Sequence, residues 1–276
     1  MPELPEVEQV RRSLSPKLTG QVIASVRLFF PQRVFVVSPT EFRKGITGAH
    51  VKKLARRGKV LLLHLDNQKT ALIGLGMTGR FAVETTLEPV DHLLAAFAIT
   101  HNKFIKLYDM RRFSRLSIAN TQQLEEHPFI KDLGWEFDDR RLSPNALYKE
   151  LQRFRKKSIK EVLLDQSVIA GIGNIYANEI LFAAKIDPER EANTLNQEAC
   201  SVLLGHAQKI LRRAIELGGS TVRDFRDADG HEGRYAKELQ VYLMEGSVCP
   251  RCGKDKIIVR IVQGGRSTFC CKNCQR

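Results

Sequence analysis

The sequence lacks long apolar runs. Its densest apolar stretch, Val60–Leu63, has the length of a β-strand, whereas a helix that spans a bilayer needs about 20 apolar residues. The N-terminus is charged from its third residue and has no apolar stretch of the signal-peptide type. These absences predict a cytoplasmic protein without a membrane partner. The 276 residues are enough for one large domain or for two ordinary ones.

Acidic residues are also scarce. The chain has 31 Asp and Glu against 44 Lys and Arg, which gives a formal net charge of +13 and a pI near 9.6. A polyanionic partner is the first explanation of such an excess, and nucleic acid is the most common one. Generic solubility remains the alternative. An anionic membrane surface is disfavoured because the sequence has no strongly basic amphipathic helix with an aromatic face.

The six cysteines do not form the pattern of a disulfide-rich protein. Four of them form two CxxC pairs separated by eighteen residues, namely Cys249, Cys252, Cys271 and Cys274. Such pairs are typical of a zinc site, and four thiolates leave no open position, so the predicted Zn²⁺ is structural. A pair of redox dithiols is the alternative. Cys270 adjoins Cys271 and could compete as a ligand, whereas Cys200 lies on an apolar helix face.

The hydrophobic pattern predicts an α+β protein. A short helix is expected from Pro5 to about Leu14, followed by short β-branched or aromatic runs between Gln21 and Leu116 that indicate a sandwich or barrel. Helical periodicity then dominates, and the Gly-rich polar segment 218–235 predicts a mobile loop. We expect an N-terminal β-sandwich domain at 1–134, a helical domain at 135–235 and a zinc ribbon at 236–276.

Two Gly-containing segments are candidate phosphate sites. In AGIGNIYANEILF, residues 170–182, two glycines precede a helix whose first N–H groups can bind an anion, and Asn174 can add a donor. In the zinc hairpin, Gly264-Gly265 suits a tight turn that presents Arg266 to a groove or a phosphate. Close helix packing and a solvated turn arginine are the respective alternatives.

The opening MPELPEVE allows two interpretations. Pro5 with Glu6 behind it is what helix-capping and dipole preferences predict for an ordinary helix start. If Met1 is removed, however, Pro2 has a free secondary amine, and an α-amino group with a pKa of about 7.7–8.0 is partly neutral near pH 7.4. A neutral amine can form an imine with a sugar carbon, and Glu3 beside it could transfer protons.

Seven motifs occur in one order along the chain: MPELPEVE, GLGMTGR, DMRRF, IKEVLLDQ, AGIGNIYANEILF, GGSTVRDF and CPRC…CKNCQR. Together they resemble bacterial formamidopyrimidine-DNA glycosylase over nearly the whole chain. The resemblance implies a β-sandwich, a helix–two-turn–helix domain and a zinc finger, with DNA bound between the domains. It also implies excision of oxidised purines such as 8-oxoguanine and formamidopyrimidines from duplex DNA, strand cleavage by β,δ-elimination, and a monomer in the bacterial cytoplasm, associated with the nucleoid.

The resemblance also assigns roles to single residues. The implied catalytic residues are Pro2 as the Schiff-base nucleophile, Glu3 as proton donor and acceptor, Lys59 and Arg266, with Glu6 in support. The implied DNA-binding residues are His92, Arg111, Lys160, Asn174 and Arg266. Met77, Arg111 and Phe113 would fill the space left by the everted base, whose extrusion costs a few kcal/mol of stacking and pairing. The loop 218–235 would close over that base.

The sequence departs from the family pattern at several positions. The family usually has His at Gly74, Pro at Met110, Gly at Ser114 and Gly-Arg at 243–244; Arg234-Tyr235 replaces an aromatic pair, and the zinc spacing is about two residues longer than expected. These changes leave lesion preference and loop closure open. The alternatives are a pyrimidine-preferring relative, for which PEGPEI would be the more typical opening, and a non-catalytic protein that binds damaged DNA.

Overall fold

The computed structural model describes residues 2–88, 90–100 and 102–276, so the expected removal of Met1 concerns a residue outside the described part. The chain forms two compact units. The first contains Met1–Asp132 and Leu217–Ala236, and the second contains Leu133–Glu216 and Lys237–Arg276. None of the helices in the described part combines the length and apolarity that a membrane span requires.

The first unit is a β-sandwich with two helices. Helices α1 (Leu4–Leu18) and α2 (Pro39–Ile46) accompany eight strands: β1 (Ile23–Leu28), β2 (Val51–Arg57), β3 (Val60–Leu65), β4 (Lys69–Gly74), β5 (Gly79–Glu84), β6 (Leu93–Ile99), β7 (Lys103–Asp109) and β8 (Arg115–Asn120). The strands form two antiparallel sheets with the orders β1-β6-β7-β5 and β2-β3-β4-β8. Both sheets contribute to one apolar core, which includes Leu61, Ile73, Phe97 and Leu107. The predicted sandwich is confirmed.

Two connections run side by side from one sheet to the other. The turn 75–78 joins β4 to β5, and the segment 110–114 joins β7 to β8. Because β4 pairs with β8 and β5 pairs with β7, both connections leave the sheets at neighbouring strand ends. The sandwich thereby places the GLGMTG and DMRRF motifs next to each other, although about thirty residues separate them in sequence.

Local capping explains the helices of the first unit. Helix α1 buries Val7, Val10 and Leu14, as the periodicity predicts, and continues to Leu18. Helix α2 lies inside the segment that we expected to contain only strands. Its N-terminus is a capping box in which the Ser38 hydroxyl accepts from the Glu41 N–H at 3.1 Å and the Glu41 carboxylate accepts from the Ser38 N–H at 2.8 Å.

The second unit is helical and ends in a two-stranded hairpin. It contains α3 (Pro144–Leu151), α4 (Ile159–Leu164), α5 (Asn174–Ala184), α6 (Gln197–Glu216), β9 (Val259–Gln263) and β10 (Arg266–Cys270). All four helices occur where the 3.6-residue period predicts them. The hairpin rests on a small core of Phe182, Val241, Ile258, Phe269 and two cysteines. The Glu179 carboxylate fixes the chain that leads to the hairpin, because it accepts from the N–H groups of residues 240, 241 and 242.

The segment Leu217–Ala236 belongs to the first unit, although we expected it in the helical domain at 135–235. It is hydrogen-bonded to α1. The Ala228 N–H donates to Ser13 Oγ at 3.1 Å, and the Gln9 amide donates to the buried Asp227 carboxylate at 2.9 Å. These contacts between residues more than 200 positions apart have no local sequence signal, and they attach part of the predicted loop to α1. The first boundary, at 132/133, lies close to the expected 134/135.

Candidate functional site

The N-terminus of α1 is buried together with its carboxylates. Pro2 and Glu3 lie in the interior, and Glu6 is fully buried. The Glu6 carboxylate accepts from the Glu3 N–H at 2.8 Å through Oε2 and from the Ser220 N–H at 2.6 Å through Oε1. Glu6 therefore joins the residue next to Pro2 to the GGSTVRDF loop. Sequence reasoning did not single out Ser220, although its motif was noted.

The contact between Glu6 and the loop requires glycine. Gly219 has a φ of +84°, and a Cβ atom at this position would lie 2.8 Å from Glu6 Oε1. A side chain would be strained by the backbone conformation and would also collide with the carboxylate. Gly219 thus allows the loop backbone to approach α1 closely enough for the hydrogen bond from the Ser220 N–H to Glu6.

The predicted phosphate contact Lys59 lies in the tight turn between β2 and β3, and it is half-buried. The neighbouring Gly58 has a φ of +54°, and its carbonyl accepts from Arg56 Nη1 at 2.8 Å. Arg56 Nε also lies 3.4 Å from the Glu8 carboxylate of α1. Burial alone would raise the pKa of the Glu8 carboxyl, but Arg11 and Arg56 lower it below its usual range. This ion pair holds the Lys59 turn against α1.

The three residues predicted to fill the space of an everted base lie on the two sheet-to-sheet connections. Met77 is 37% exposed and Phe113 is 46% exposed, so both apolar side chains are available for contact at the surface. The Arg111 guanidinium carbon stacks over the Phe113 ring at 4.8 Å from its centroid. Gly76 permits the close approach, because a Cβ there would lie 2.7 Å from the Phe113 carbonyl carbon. We call Met77, Arg111 and Phe113 the wedge.

His92, a predicted DNA contact, lies beside the second connection. Its side chain is exposed, its φ is +67°, and its carbonyl accepts from the Asp109 N–H at 2.8 Å. A positive φ is uncommon for a residue other than glycine, and His is one of the types that tolerate it. The fold thus presents His92 to solvent close to the strand end from which the Arg111 connection starts.

Asn174 contacts the residue that follows Arg266 in the hairpin of the second unit. Asn174 is the first residue of α5, and its side-chain N–H₂ donates to the Ser267 carbonyl at 3.0 Å. Its Oδ1 is buried and has no hydrogen-bond partner among the described residues. Arg266 is exposed beside the turn Gly264-Gly265, where φ is +54° and +73° as a tight hairpin turn requires. The predicted hairpin geometry is therefore confirmed.

The Lys160 side chain lies in the interior of the second unit and is not exposed, as a direct phosphate contact would be. Its side chain is fully buried, and Nζ donates to the Ser267 carbonyl at 2.9 Å and to Thr268 Oγ1 at 2.6 Å. A buried ammonium needs such acceptors, because it has lost its hydration. Lys160 and Asn174 thus converge on one carbonyl, next to Arg266 in sequence. In this structure Lys160 supports the hairpin from inside, and its assignment as a DNA-binding residue stays a prediction.

The four predicted zinc ligands converge at the end of the chain. The sulfur atoms of Cys249, Cys252, Cys271 and Cys274 all lie within 4.8 Å of one another. Two of the pairs are 3.7 and 4.0 Å apart, and tetrahedral Zn–S bonds of about 2.3 Å would hold sulfurs about 3.8 Å apart. The residues fit one structural zinc ion. Cys270 is outside this cluster, and burial raises the pKa of its thiol to about 11, which keeps it protonated.

Family models match almost the entire chain. The formamidopyrimidine-DNA glycosylase N-terminal domain matches residues 1–116, the formamidopyrimidine-DNA glycosylase H2TH domain matches 133–226, and a zinc finger found in FPG and IleRS matches 246–276. The H2TH match contains α4 and α5 with the non-helical segment between them. All three matches correspond to regions that the sequence motifs indicated.

Relatives and solved structures agree with these matches. A formamidopyrimidine-DNA glycosylase of Desulforamulus reducens is 42% identical over 280 residues, covering 100% of this chain and 99% of that protein. The enzyme of Pelotomaculum thermopropionicum is 42% identical over 277 residues, with coverages of 100% and 99%. A Lactococcus lactis FPG mutant in complex with Fapy-dG containing DNA superimposes with a TM-score of 0.92 at 33% identity, with both chains covered completely. The same protein with abasic-site DNA gives a TM-score of 0.90 at 33% identity and 99% coverage of both.

Proposed function

The chain belongs to the formamidopyrimidine-DNA glycosylase family, and on this basis we propose which of its residues carry the reaction. It is a DNA glycosylase and AP lyase of base-excision repair that acts on DNA with oxidised purines and contains one structural zinc. The proposal concerns the nucleophile, the proton transfers and the DNA contacts. It rests on the buried N-terminus of α1, where Glu6 joins Glu3 to the loop that contains Ser220.

Pro2 is the proposed nucleophile. Once Met1 has been removed, the neutral Pro2 nitrogen attacks C1′ of the damaged nucleoside. The glycosidic bond breaks, and the base leaves with the bonding electrons and takes up the proton that the Pro2 nitrogen releases. Glu3 protonates the ring oxygen of the deoxyribose, which opens the sugar and leaves an iminium between Pro2 and C1′. The Glu6 carboxylate holds the Glu3 main chain at 2.8 Å and so fixes the residue beside the nucleophile.

Strand cleavage then follows from the iminium. The iminium acidifies the C2′ proton, and removal of this proton by a base such as the Glu3 carboxylate expels the 3′ phosphate. A second elimination expels the 5′ phosphate, and water hydrolyses the imine to restore Pro2. The products are a one-nucleotide gap with phosphate ends and a released sugar fragment. Each elimination is easier than a direct cleavage because the positive nitrogen accepts the electrons.

The remaining predicted residues bind DNA in this proposal. Lys59, His92, Asn174 and Arg266 contact phosphates, and the wedge fills the space of the everted base. Lys160 acts indirectly, by fixing the carbonyl that follows Arg266. The zinc ion takes no part in the chemistry and holds the hairpin. We further propose a monomer that has no membrane partner and works on nucleoid DNA in the bacterial cytoplasm, since the relatives are bacterial proteins and the net charge is +13.

Borohydride trapping tests the nucleophile. The protein is incubated with an 8-oxoguanine:C duplex and sodium borohydride, and the reduced covalent adduct is measured on a denaturing gel. We expect an adduct in the wild type and a decrease of about a hundredfold or more in Pro2→Gly. A preparation that retains Met1 should give none, because its Pro2 nitrogen is an amide. Pro5→Ala, a change of another proline in the same turn, is the matched control and should form the adduct.

The same experiment separates the alternatives. An adduct in both Pro2→Gly and the Met1-retaining protein would remove Pro2 from the mechanism. Salt-dependent binding without any adduct or cleavage by the wild type would indicate a protein that only binds damage. Faster release of thymine glycol than of 8-oxoguanine in parallel assays would place the chain with pyrimidine-preferring relatives.

A further inference from the structure

A buried carboxylate lies beneath the wedge. Asp109 ends β7, is fully buried, and accepts hydrogen bonds from three main-chain or side-chain donors of the connection that follows it. The Ser114 N–H and Ser114 Oγ both lie 2.6 Å from Asp109 Oδ2, and the Arg111 N–H lies 3.1 Å from Oδ1. These bonds close residues 109–114 into a compact loop that presents Arg111 and Phe113 to solvent.

The same carboxylate reaches the other sheet-to-sheet connection. Thr78 Oγ1 donates to Asp109 Oδ1 at 2.5 Å and accepts from the Arg111 N–H at 3.0 Å. Ser114 Oγ also lies 3.1 Å from the Leu75 carbonyl, at the start of the Met77 turn. The Asp109 carboxylate and the hydroxyls of Thr78 and Ser114 therefore join the Met77 turn to the Arg111 connection. Each wedge residue lies within two positions in sequence of one of these three residues.

The packing around these bonds leaves little freedom. A Cβ on Gly79 would lie 2.5 Å from Ser114 Oγ and 2.3 Å from the Leu75 carbonyl oxygen. The backbone at Gly79 is therefore too close to Ser114 and Leu75 to leave room for a side chain. Burial would raise the pKa of the Asp109 carboxyl, but the hydrogen bonds from Ser114 and Thr78 hold it below its usual range. The carboxylate is consequently charged at neutral pH, and charged acceptors form the stronger hydrogen bonds.

We propose that Asp109, with Thr78 and Ser114, is a positioning unit that holds the Met77 turn and the Arg111–Phe113 connection together as one rigid wedge. The inference rests on the proposed function, in which the wedge occupies the space of the everted base. Extrusion of a base costs a few kcal/mol, and a wedge that is already ordered adds no further ordering cost when it inserts. Ser114 contributes both its N–H and its hydroxyl to the network.

A matched pair of substitutions at Thr78 tests the proposal. Thr78→Val keeps the shape of the side chain but removes the hydroxyl that bridges the two connections, whereas Thr78→Ser retains it. Single-turnover excision is measured on an 8-oxoguanine:C duplex, and strand cleavage is measured on the same duplex with a preformed abasic site. 2-Aminopurine next to the lesion reports local unstacking. The melting temperature of each variant is recorded.

We expect Thr78→Val to slow excision and unstacking about tenfold, the effect of losing one hydrogen bond to a charged group. Cleavage at the abasic site should slow by less than about twofold, because no base has to be extruded there. Thr78→Ser should stay within about twofold of the wild type in both assays. In an Arg111→Ala background, Thr78→Val should have a smaller effect than in the wild type, since one of the three wedge side chains that it positions is gone.

Three outcomes would overturn the proposal: equal behaviour of Thr78→Val and Thr78→Ser, an equal loss of excision and abasic-site cleavage in Thr78→Val, or full additivity with Arg111→Ala. Failure of the proposed function itself would give a different experimental result from these three. In that case the wild type would cleave neither substrate and would form no borohydride adduct, whatever residue occupies position 78.

Discussion

The sandwich and the zinc hairpin support their exposed candidate DNA-binding residues by different means. In the sandwich, two four-stranded sheets enclose a large apolar core, and short connections at the sheet edge need only a few hydrogen bonds to become rigid. In the hairpin, β9 has no fully buried residue, and Val262 is 67% exposed. A two-stranded sheet is at best marginally stable in water. The hairpin therefore depends on zinc, on Lys160 and on α5.

The two kinds of support predict which change would displace the exposed residues of each region. The wedge should survive the loss of single surface groups, because its scaffold is the core of the sandwich. Arg266 should lose its position when either the metal or one buried ammonium is removed, because few apolar contacts replace them.

Removal of zinc should disable the hairpin and leave the sandwich folded. Structural zinc contributes about 10–16 kcal/mol of apparent binding free energy in zinc-finger peptides, and that energy is coupled to folding. We expect Cys271→Ser to lose the metal and to weaken binding to a duplex with a tetrahydrofuran abasic analogue by about a hundredfold or more. Hydrogen exchange should become fast in 246–276 and remain slow in the strands of the sandwich.

The neighbouring Cys270→Ser is the matched control for this experiment. Cys270 is buried but lies outside the sulfur cluster, so the variant should retain zinc and DNA affinity. Zinc content measured by atomic spectroscopy decides the comparison. Equal loss of zinc in the two variants would show that the ligand set is different from the one described above.

The buried Lys160 offers a finer test of the hairpin. Lys160→Met fills a similar volume but leaves the Ser267 carbonyl with fewer donors, and we expect DNA affinity to fall about tenfold. Because Lys160 does not touch phosphate in this proposal, the slope of log K against log salt should be unchanged. Arg266→Gln should reduce that slope by about one phosphate contact. A reduced slope in Lys160→Met would instead restore Lys160 as a direct contact.

We expect pH to have a smaller effect, on the stability of the sandwich. Burial lowers the pKa of His127, whose Nδ1 accepts from the Phe129 N–H at 3.1 Å, so Nε2 carries the proton and donates to Ser117 Oγ at 2.9 Å. A histidine with a lowered folded-state pKa stabilises the fold above its unfolded pKa. Below about pH 6.5 this stability is lost, by at most about 1.4 kcal/mol per pH unit.

His127→Asn should flatten this acid dependence. The asparagine side chain can still accept from the N–H two residues later but does not titrate in this range. The stability of the variant and of the wild type is measured by thermal unfolding between pH 5 and pH 7.5. Hydrogen exchange in β4 and β8 is then compared between the two proteins. An unchanged slope in His127→Asn would show that another group governs the acid sensitivity of the sandwich.

Several parts of the fold were predictable because their causes are local. The zinc ligands, the Gly264-Gly265 turn and the helices α3 to α6 depend on spacing and periodicity over a few residues. Helix α2 was missed although its signal was present, since Ser38-Pro39 followed by Glu41 is a capping box. The β-branched and aromatic residues around it outweighed that signal. Residues 34–37, in the segment where we expected strands, form one isolated bridge from Val34 to Leu116 and otherwise irregular chain after a 3₁₀ turn at Pro31–Arg33.

The chemical groups follow from the sequence alone: a proline at position 2 beside carboxylates, four cysteines at zinc spacing, and an excess of cationic side chains. Only the tertiary structure decided that Lys160 is buried, that Leu217–Ala236 packs with α1, and that Asp109 joins two connections. The physical reason is that burial and hydrogen bonding between distant residues depend on which surfaces the core brings together. No local periodicity encodes that choice.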